Sequence, residues 1–249
     1  MEVLVLDLIA MAAIAATAVL VMLTLVSIYA RSTGERILLA SGYTAWFCVV
    51  VAIGATGLFA PGGGFGIFGL AAGVAVPLTI LLWLGLGTAR GREAASHAPL
   101  LRLTAIQIPR VVGLFFVLLF LAGRVPAPFG PSAGWGDVLV GLLAVLATLM
   151  VAANALPERS RRALLLGLNA LGTADLLTAV TLGATSSPGP IQIFHAQATT
   201  ASMLALPWIL IPCLLVPSFL LLHAIAFYRL RSPQSAPGRV PLEAVSQTV

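Results

Sequence analysis

The sequence predicts an all-α fold, a polytopic transmembrane bundle of seven helices, with the N-terminus outside and the C-terminus in the cytoplasm. Three observations predict it. Charged residues are 8% of the 249-residue chain and hydrophobic residues 60%, with a mean hydropathy of +1.08; a soluble domain is roughly a quarter charged. Seven apolar runs each supply the ~20 residues that a bilayer crossing needs. The basic residues fall in the short gaps between those runs and are concentrated in alternate gaps. The same composition excludes disorder of the whole chain, which requires low hydrophobicity and high charge. The net charge of +5 and pI of about 10.2 do not indicate nucleic acid, because no basic patch lies on a soluble face.

The first run, Val3–Ala30, starts with Glu2 and Asp7 instead of a positive n-region and outlasts a signal h-region, so it reads as a retained helix. Its alanines, Ala12, Ala15 and Ala16 among them, offer a packing surface. The second run is Ile37–Ala60. The third, Phe65–Ala89, carries the small residues Gly66, Gly69 and Gly73, then Pro77. The fourth, Leu100–Gly123, contains Pro109 and a polar row of Thr104, Gln107, Arg110 and Gly113. The fifth is Trp135–Leu156, with Asp137, Gly141, Ala144, Thr148 and Ala152 on one face. Asp137 reads as a first-turn carboxylate favoured by the helix dipole, and also as a residue lining an outer cavity mouth. Trp135 and Trp208 are placed near the outer interface, where tryptophan is enriched. The sixth run, Ala163–Ala184, carries Asn169, Gly172, Asp175, Thr178 and Thr181 at steps of three. The seventh, Met203–Leu230, has Pro207, Pro212 and Pro217, each of which removes a backbone donor. Residues 1–231 form one domain on this reading, and 232–249 a disordered cytoplasmic tail.

Arginine placement gives the orientation, since cytoplasmic loops collect basic residues. Arg31, Arg36, Arg90, Arg92, Arg102, Arg159, Arg161, Arg162, Arg229, Arg231 and Arg239 share one side, and Arg124 alone marks the other. The expected location is the cell inner (plasma) membrane, crossed seven times. The outer loop 185–202 is uncharged and polar with apolar Ile191, Ile193 and Phe194, and reads as a surface loop with a re-entrant segment as the alternative.

Several chemistries lack their residues. All thirteen basic residues are arginine, so no lysine Schiff base and no P-loop lysine exists. Cys48 and Cys213 lie mid-span and read as buried, inert thiols. No Cys/His spacing for zinc and no HExxH is present, and no metal is expected. His97 reads as solvated in a cytoplasmic loop. His195, in the outer loop, and His223, near the inner end of the seventh span, sit at depths that rule out one bis-histidine haem. The string Gly130-Pro131-Ser132-Ala133 resembles the rhomboid protease serine motif only in a few common residues, and Pro131 departs from it. No cofactor is expected.

Ionisable residues within a membrane are costly and turn toward the bundle interior. The polar rows of the fourth and sixth spans therefore face each other or a cavity. Arg110 lies about 12 Å beyond Arg102, and Asp175 about 20 Å beyond Arg162, at 1.5 Å per residue. That offset lets them meet directly or through water. The pair reads either as a structural lock on helix register or as part of a site. The candidate substrate- or ion-binding residues are Gln107, Arg110, Asp137, Asn169, Asp175 and His195.

The segments Gln107-x-x-Arg110-x-x-Gly113, Gly134-x-Gly136-Asp137, Asn169-x-x-Gly172-x-x-Asp175, Leu206-Pro207-Trp208, Ile211-Pro212 and Val216-Pro217 together resemble those of uncharacterised bacterial multi-pass membrane proteins. The resemblance covers roughly the second half of the chain and implies class and compartment, with no activity attached. The leading expectation is transport or permeation of a small solute or ion through a polar site between helices 4, 5 and 6. The alternative is a non-catalytic accessory or ligand-sensing membrane protein, and a membrane-embedded enzyme comes third. The partners expected are the lipid bilayer and a small solute or ion, with no nucleic acid; the oligomeric state is not legible.

Overall fold

Helices α1 (Glu2–Tyr29) and α2 (Thr33–Thr56) open the chain. Then come α3 (Gly66–Leu82), extended by a π-helical turn at Trp83–Gly87, and the short α4 (Ala89–Ser96). The fourth crossing is composite: α5 (Leu100–Ala105), a 3-10 segment (Ile108–Gly113) and α6 (Leu114–Leu121). Helices α7 (Gly130–Ala152) and α8 (Glu158–Thr185) follow. A 3-10 turn at Thr200–Leu204 and a π segment at Ile211–Leu215 lead into α9 (Val216–Arg231). The structure, a computed structural model, describes residues 2–62 and 64–231, with no strand among them. The tail expected at 232–249 lies outside the described residues. Seven stretches are long and apolar enough to cross a membrane, from Leu4–Tyr29 to Ile211–Arg231.

Several helix starts differ from the sequence reading: the seventh span begins at Ile211, not Met203, so that Pro207 precedes it, and the second helix begins at Thr33, not Ile37. The fifth helix begins at Gly130, not Trp135, because Pro131 supplies a helical φ in the first turn, where its missing N–H costs nothing. The sixth begins at Glu158 after Pro157. Asp137 is therefore two turns inside α7, and the first-turn explanation of its carboxylate does not hold.

The bundle is built around α9, which packs on α3, α4 and α8; α8 also packs on α7, and α7 on all three parts of the fourth crossing. Two-thirds of the apolar window of the last span is buried (67%), against 6% for α2, where Val50 is the buried residue. Helix α1 buries Ala10, Ile14, Ala18 and Val21. Ala12 and Ala16, expected to pack, are exposed on the other face. In the sixth span Asn169 and Gly172 are buried and Asp175 half-buried, while Thr178 and Thr181 are exposed. Steps of three drift about 60° per step, so the row leaves the interior after two steps. Cys213 is buried and Cys48 exposed, which corrects the reading of two buried thiols.

Proline shapes the seventh span. Pro217 has no N–H for the carbonyl of Cys213 four residues back, and Trp46 Nε1 donates to that oxygen at 3.0 Å. Loop 185–202 folds back on the end of α8. The Thr185 carbonyl accepts from Ile193 N at 2.8 Å, and Thr200 Oγ1 donates to the Gly183 carbonyl at 2.7 Å.

The two ends of the bundle are tied differently. At the arginine-poor end, Arg124 grips Asp7 through both Nη atoms (2.7 and 3.2 Å), and Trp208 Nε1 donates to Asp7 Oδ1 at 3.2 Å. Trp208 is 1% exposed, so it belongs to this bolt and not to an interfacial belt. At the arginine-rich end, Arg31 pairs with Glu93 at 2.7 Å and Arg90 with Glu35. The hydrogen bond from Arg31 holds the Glu93 carboxyl below its ordinary range.

A buried arginine cluster beneath an apolar cavity

The site starts from a break in the fourth crossing. Pro109 cannot donate to the carbonyl of Ala105, and the chain tightens into 3-10 geometry over Ile108–Gly113, with Arg110 N donating to the Gln107 carbonyl at 3.2 Å. This short rise presents the Arg110 side chain, 1% exposed, to three other helices at once.

Every nitrogen of the guanidinium is used. Nε donates to Asp137 Oδ1 at 2.7 Å, and Nη2 donates to Asp175 Oδ2. Nη1 donates to the Gly172 carbonyl at 3.1 Å and lies 3.2 Å from His223 Nε2. The Phe219 ring sits 5.9 Å from the guanidinium carbon. The fourth, fifth, sixth and seventh crossings thus meet on one side chain.

Small residues allow that convergence. A Cβ on Gly172 would stand 2.6 Å from His223 Cε1 and 2.9 Å from Arg110 Nη1, and one on Gly136 would collide with the Asp175 carboxylate. The polar spacing seen in the sequence is therefore interleaved with glycines that let α7 and α8 approach the arginine.

The hydrogen bonds fix the histidine tautomer. Asn169 Nδ2 donates to the Leu165 carbonyl at 2.7 Å, which turns its Oδ1 toward His223 Nδ1 at 2.8 Å. An amide oxygen only accepts, so Nδ1 carries the hydrogen, and Nε2 offers its lone pair to Arg110. A second proton on Nε2 would set donor against donor. His223 is neutral in this arrangement, and two carboxylates face one guanidinium.

Above the cluster, toward the arginine-poor end, lies a cavity of about 340 Å³ between α3, α8 and the seventh span. Its walls are apolar, with Ile67, Leu70, Val180 and Leu215 among them, and Arg110 and Asp137 are its charged residues. Ile191 of loop 185–202 also lines it. Asp137 Oδ2 has no hydrogen-bond partner among the described residues. On the other side of Arg110, buried Leu103, Leu165, Leu168, Leu222 and Ile225 fill the bundle.

Of the residues singled out from sequence, Arg110, Asp137, Asp175 and Asn169 join one network. Gln107 lies one turn away, 1% exposed, with neither side-chain polar atom partnered among the described residues. His195 is exposed on loop 185–202 and apart from the cluster. The sequence reading missed His223, placed near the inner end but found mid-helix in α9 and buried. Its position in an otherwise apolar run was the available signal. Among the described residues no group of three His, Cys, Asp or Glu side chains is placed to hold a metal ion.

These features define a class: an all-helical bundle with seven helices long and apolar enough to span a membrane, closed around a buried arginine. The family described as Domain of unknown function (DUF8737) matches residues 67–231, more than half of the chain, and the protein belongs to that family. The matched region contains the whole cluster and every cavity-lining residue. No curated protein and no solved structure matches the chain.

Proposed function

We propose that the protein is a multi-pass membrane protein, N-terminus outside and arginine-rich end in the cytoplasm, that binds a small, largely apolar solute in the cavity above Arg110. The bilayer reading rests on the exposed apolar surface, which runs from Leu4, Leu8 and Val19 on α1 to Leu38 and Val49 on α2 and Leu142, Leu146 and Leu149 on α7. A face of that extent is a liability in water and ordinary in lipid. The orientation rests on the arginine asymmetry. The single observation that carries binding is the cavity itself: a space of about 340 Å³ is within the range of small-molecule sites, apolar with a few convergent polar groups.

A small aromatic diazirine partitioned into proteoliposomes tests this reading. Photo-adducts are expected on cavity residues such as Leu70 and Val180, and Ala179→Phe, which fills the space, should remove them. Adducts confined to lipid-facing α2 and unchanged in Ala179→Phe would refute it.

Transport is the second reading. It is favoured by the polar trail past the cavity floor, from His223 to Asn169 with unpartnered Gln107 beside it. Such groups offer a route if the apolar layer beneath them opens. Solute flux into proteoliposomes that falls in Gln107→Leu while photolabelling persists would separate transport from binding alone.

A further inference from the structure

The charge count at the cavity floor indicates what the solute carries. Arg110 supplies one positive charge, and Asp137 and Asp175 flank it. His223 cannot make up the difference, because its Nε2 must accept from Arg110 while Nδ1–H donates to Asn169. The other residues lining the cavity from α3, α6, α8 and the seventh span are uncharged. One carboxylate is in excess, in surroundings where an unbalanced charge is expensive. Each carboxylate has one oxygen without a hydrogen-bond partner among the described residues, Asp137 Oδ2 and Asp175 Oδ1, and of the two side chains only Asp137 lines the cavity.

The walls add a second preference. Phe219 stands beside the floor, and Phe116 and Phe129 line the same space, their rings edge-to-face at 5.2 Å. Aromatic faces attract ammonium groups, most strongly where water is excluded. A carboxylate at the base of an apolar, phenylalanine-lined cavity complements an organic cation better than an anion or a neutral molecule. An anion would bring a third negative charge to one guanidinium.

Building on the reading that this cavity binds a solute, we propose that it takes a monovalent organic cation: an ammonium on a small apolar body, its charge against Asp137 and its body between the phenylalanines. Until it arrives, a proton on one of the two carboxylates balances the cluster. Binding then releases that proton to solvent, and the site exchanges one cation for another.

The test uses radiolabelled benzyltrimethylammonium and its uncharged carbon isostere, neopentylbenzene, as competitor, on the full chain in nonionic detergent. Wild-type protein should bind the cation, with the isostere weaker by roughly tenfold or more. Asp137→Asn keeps an oxygen for Arg110 Nε and should erase that preference. Phe129→Leu, remote from Arg110, guards against a folding defect in the first variant; it touches the apolar body that both probes share, so it should weaken both and leave the preference for the cation. Proton release on cation binding, read with a dye in weak buffer, should accompany the preference. Equal affinity for both probes in wild type and both variants would overturn the cation inference and leave the cavity reading standing. Failure of both probes to bind wild type, together with photolabelling confined to α2, would remove both.

Discussion

Arg110 and Arg124 are both held by aspartate, yet they do different work. Arg124 binds one carboxylate at the arginine-poor end, and both side chains keep about a quarter of their surface exposed (23% and 24%). Water can replace either partner there. Arg110 is 1% exposed and touches three other spans; its carboxylates are 14% and 10% exposed. Nothing replaces a lost partner at that depth. A buried charge pair adds little net stability compared with apolar packing, but breaking one is severe. The inner arginine therefore fixes which helices meet, and the outer one fastens a contact that packing already favours.

The largest expected effect follows from that contrast. Arg110→Met leaves two carboxylates, His223 and the Gly172 carbonyl without their shared donor, and should cost about 3–5 kcal/mol of stability. Thermal unfolding in detergent measures it. The double variant Arg110→Met with Asp175→Leu should lose less than the two single variants combined. Strict additivity would show that the two side chains do not communicate.

Next is the space around the cluster. Gly172→Ala forces a methyl group against the His223 ring and should cost about 1–3 kcal/mol, the usual penalty for overpacking. Gly167→Ala is the control on the same helix, since nothing lies within 4 Å of its added Cβ. It should be neutral or slightly stabilising. Equal losses in the two variants would mean that crowding at the cluster is not what matters.

A smaller change is expected at the outer bolt. Arg124→Met should cost about 1 kcal/mol, because the pair is partly exposed and Trp208 still donates to Asp7. A loss matching that of Arg110→Met would erase the distinction between the two arginines.

The smallest effect belongs to the arginine-rich end, where Arg31 and Glu93 are half-exposed. Glu93→Gln should leave the melting midpoint at neutral pH almost unchanged. Because the folded Glu93 carboxyl is held below its ordinary range, its contribution is present above that range and disappears as pH falls through the lowered value. Wild type and variant should converge in acid. Divergence on acidification would contradict the assignment.

The seven long apolar helices were legible because hydropathy over ~20 residues is a strong signal. Arg110 and Asp175 were legible as costs: each sits in an apolar run that would otherwise be free of charge. Asp137 lies a turn deeper than its sequence position suggests, because Pro131 lets the helix start at Gly130, five residues before Trp135. His223 was legible only as a candidate haem ligand, because the partners that define its role, Asn169 and Arg110, lie on other helices and no spacing along the chain marks them. The cavity was not legible at all, since it depends on how α3 and α8 are held apart by the seventh span.

The order of synthesis gives Arg110 a further meaning. The fourth crossing carries a buried cation, which translocon scales penalise by about 2.5–3.5 kcal/mol at a helix centre. Only the short connection from Ala122 to Phe129 separates it from α7, so Asp137 emerges from the ribosome shortly after. The two segments are suited to entering the bilayer as a neutralised hairpin. Asp175 and His223 follow on later helices, so their contacts with the guanidinium would form after the one with Asp137. In a bundle inserted as proposed above, the charge that makes its own helix hard to insert would meet its partners in the order in which their helices are made.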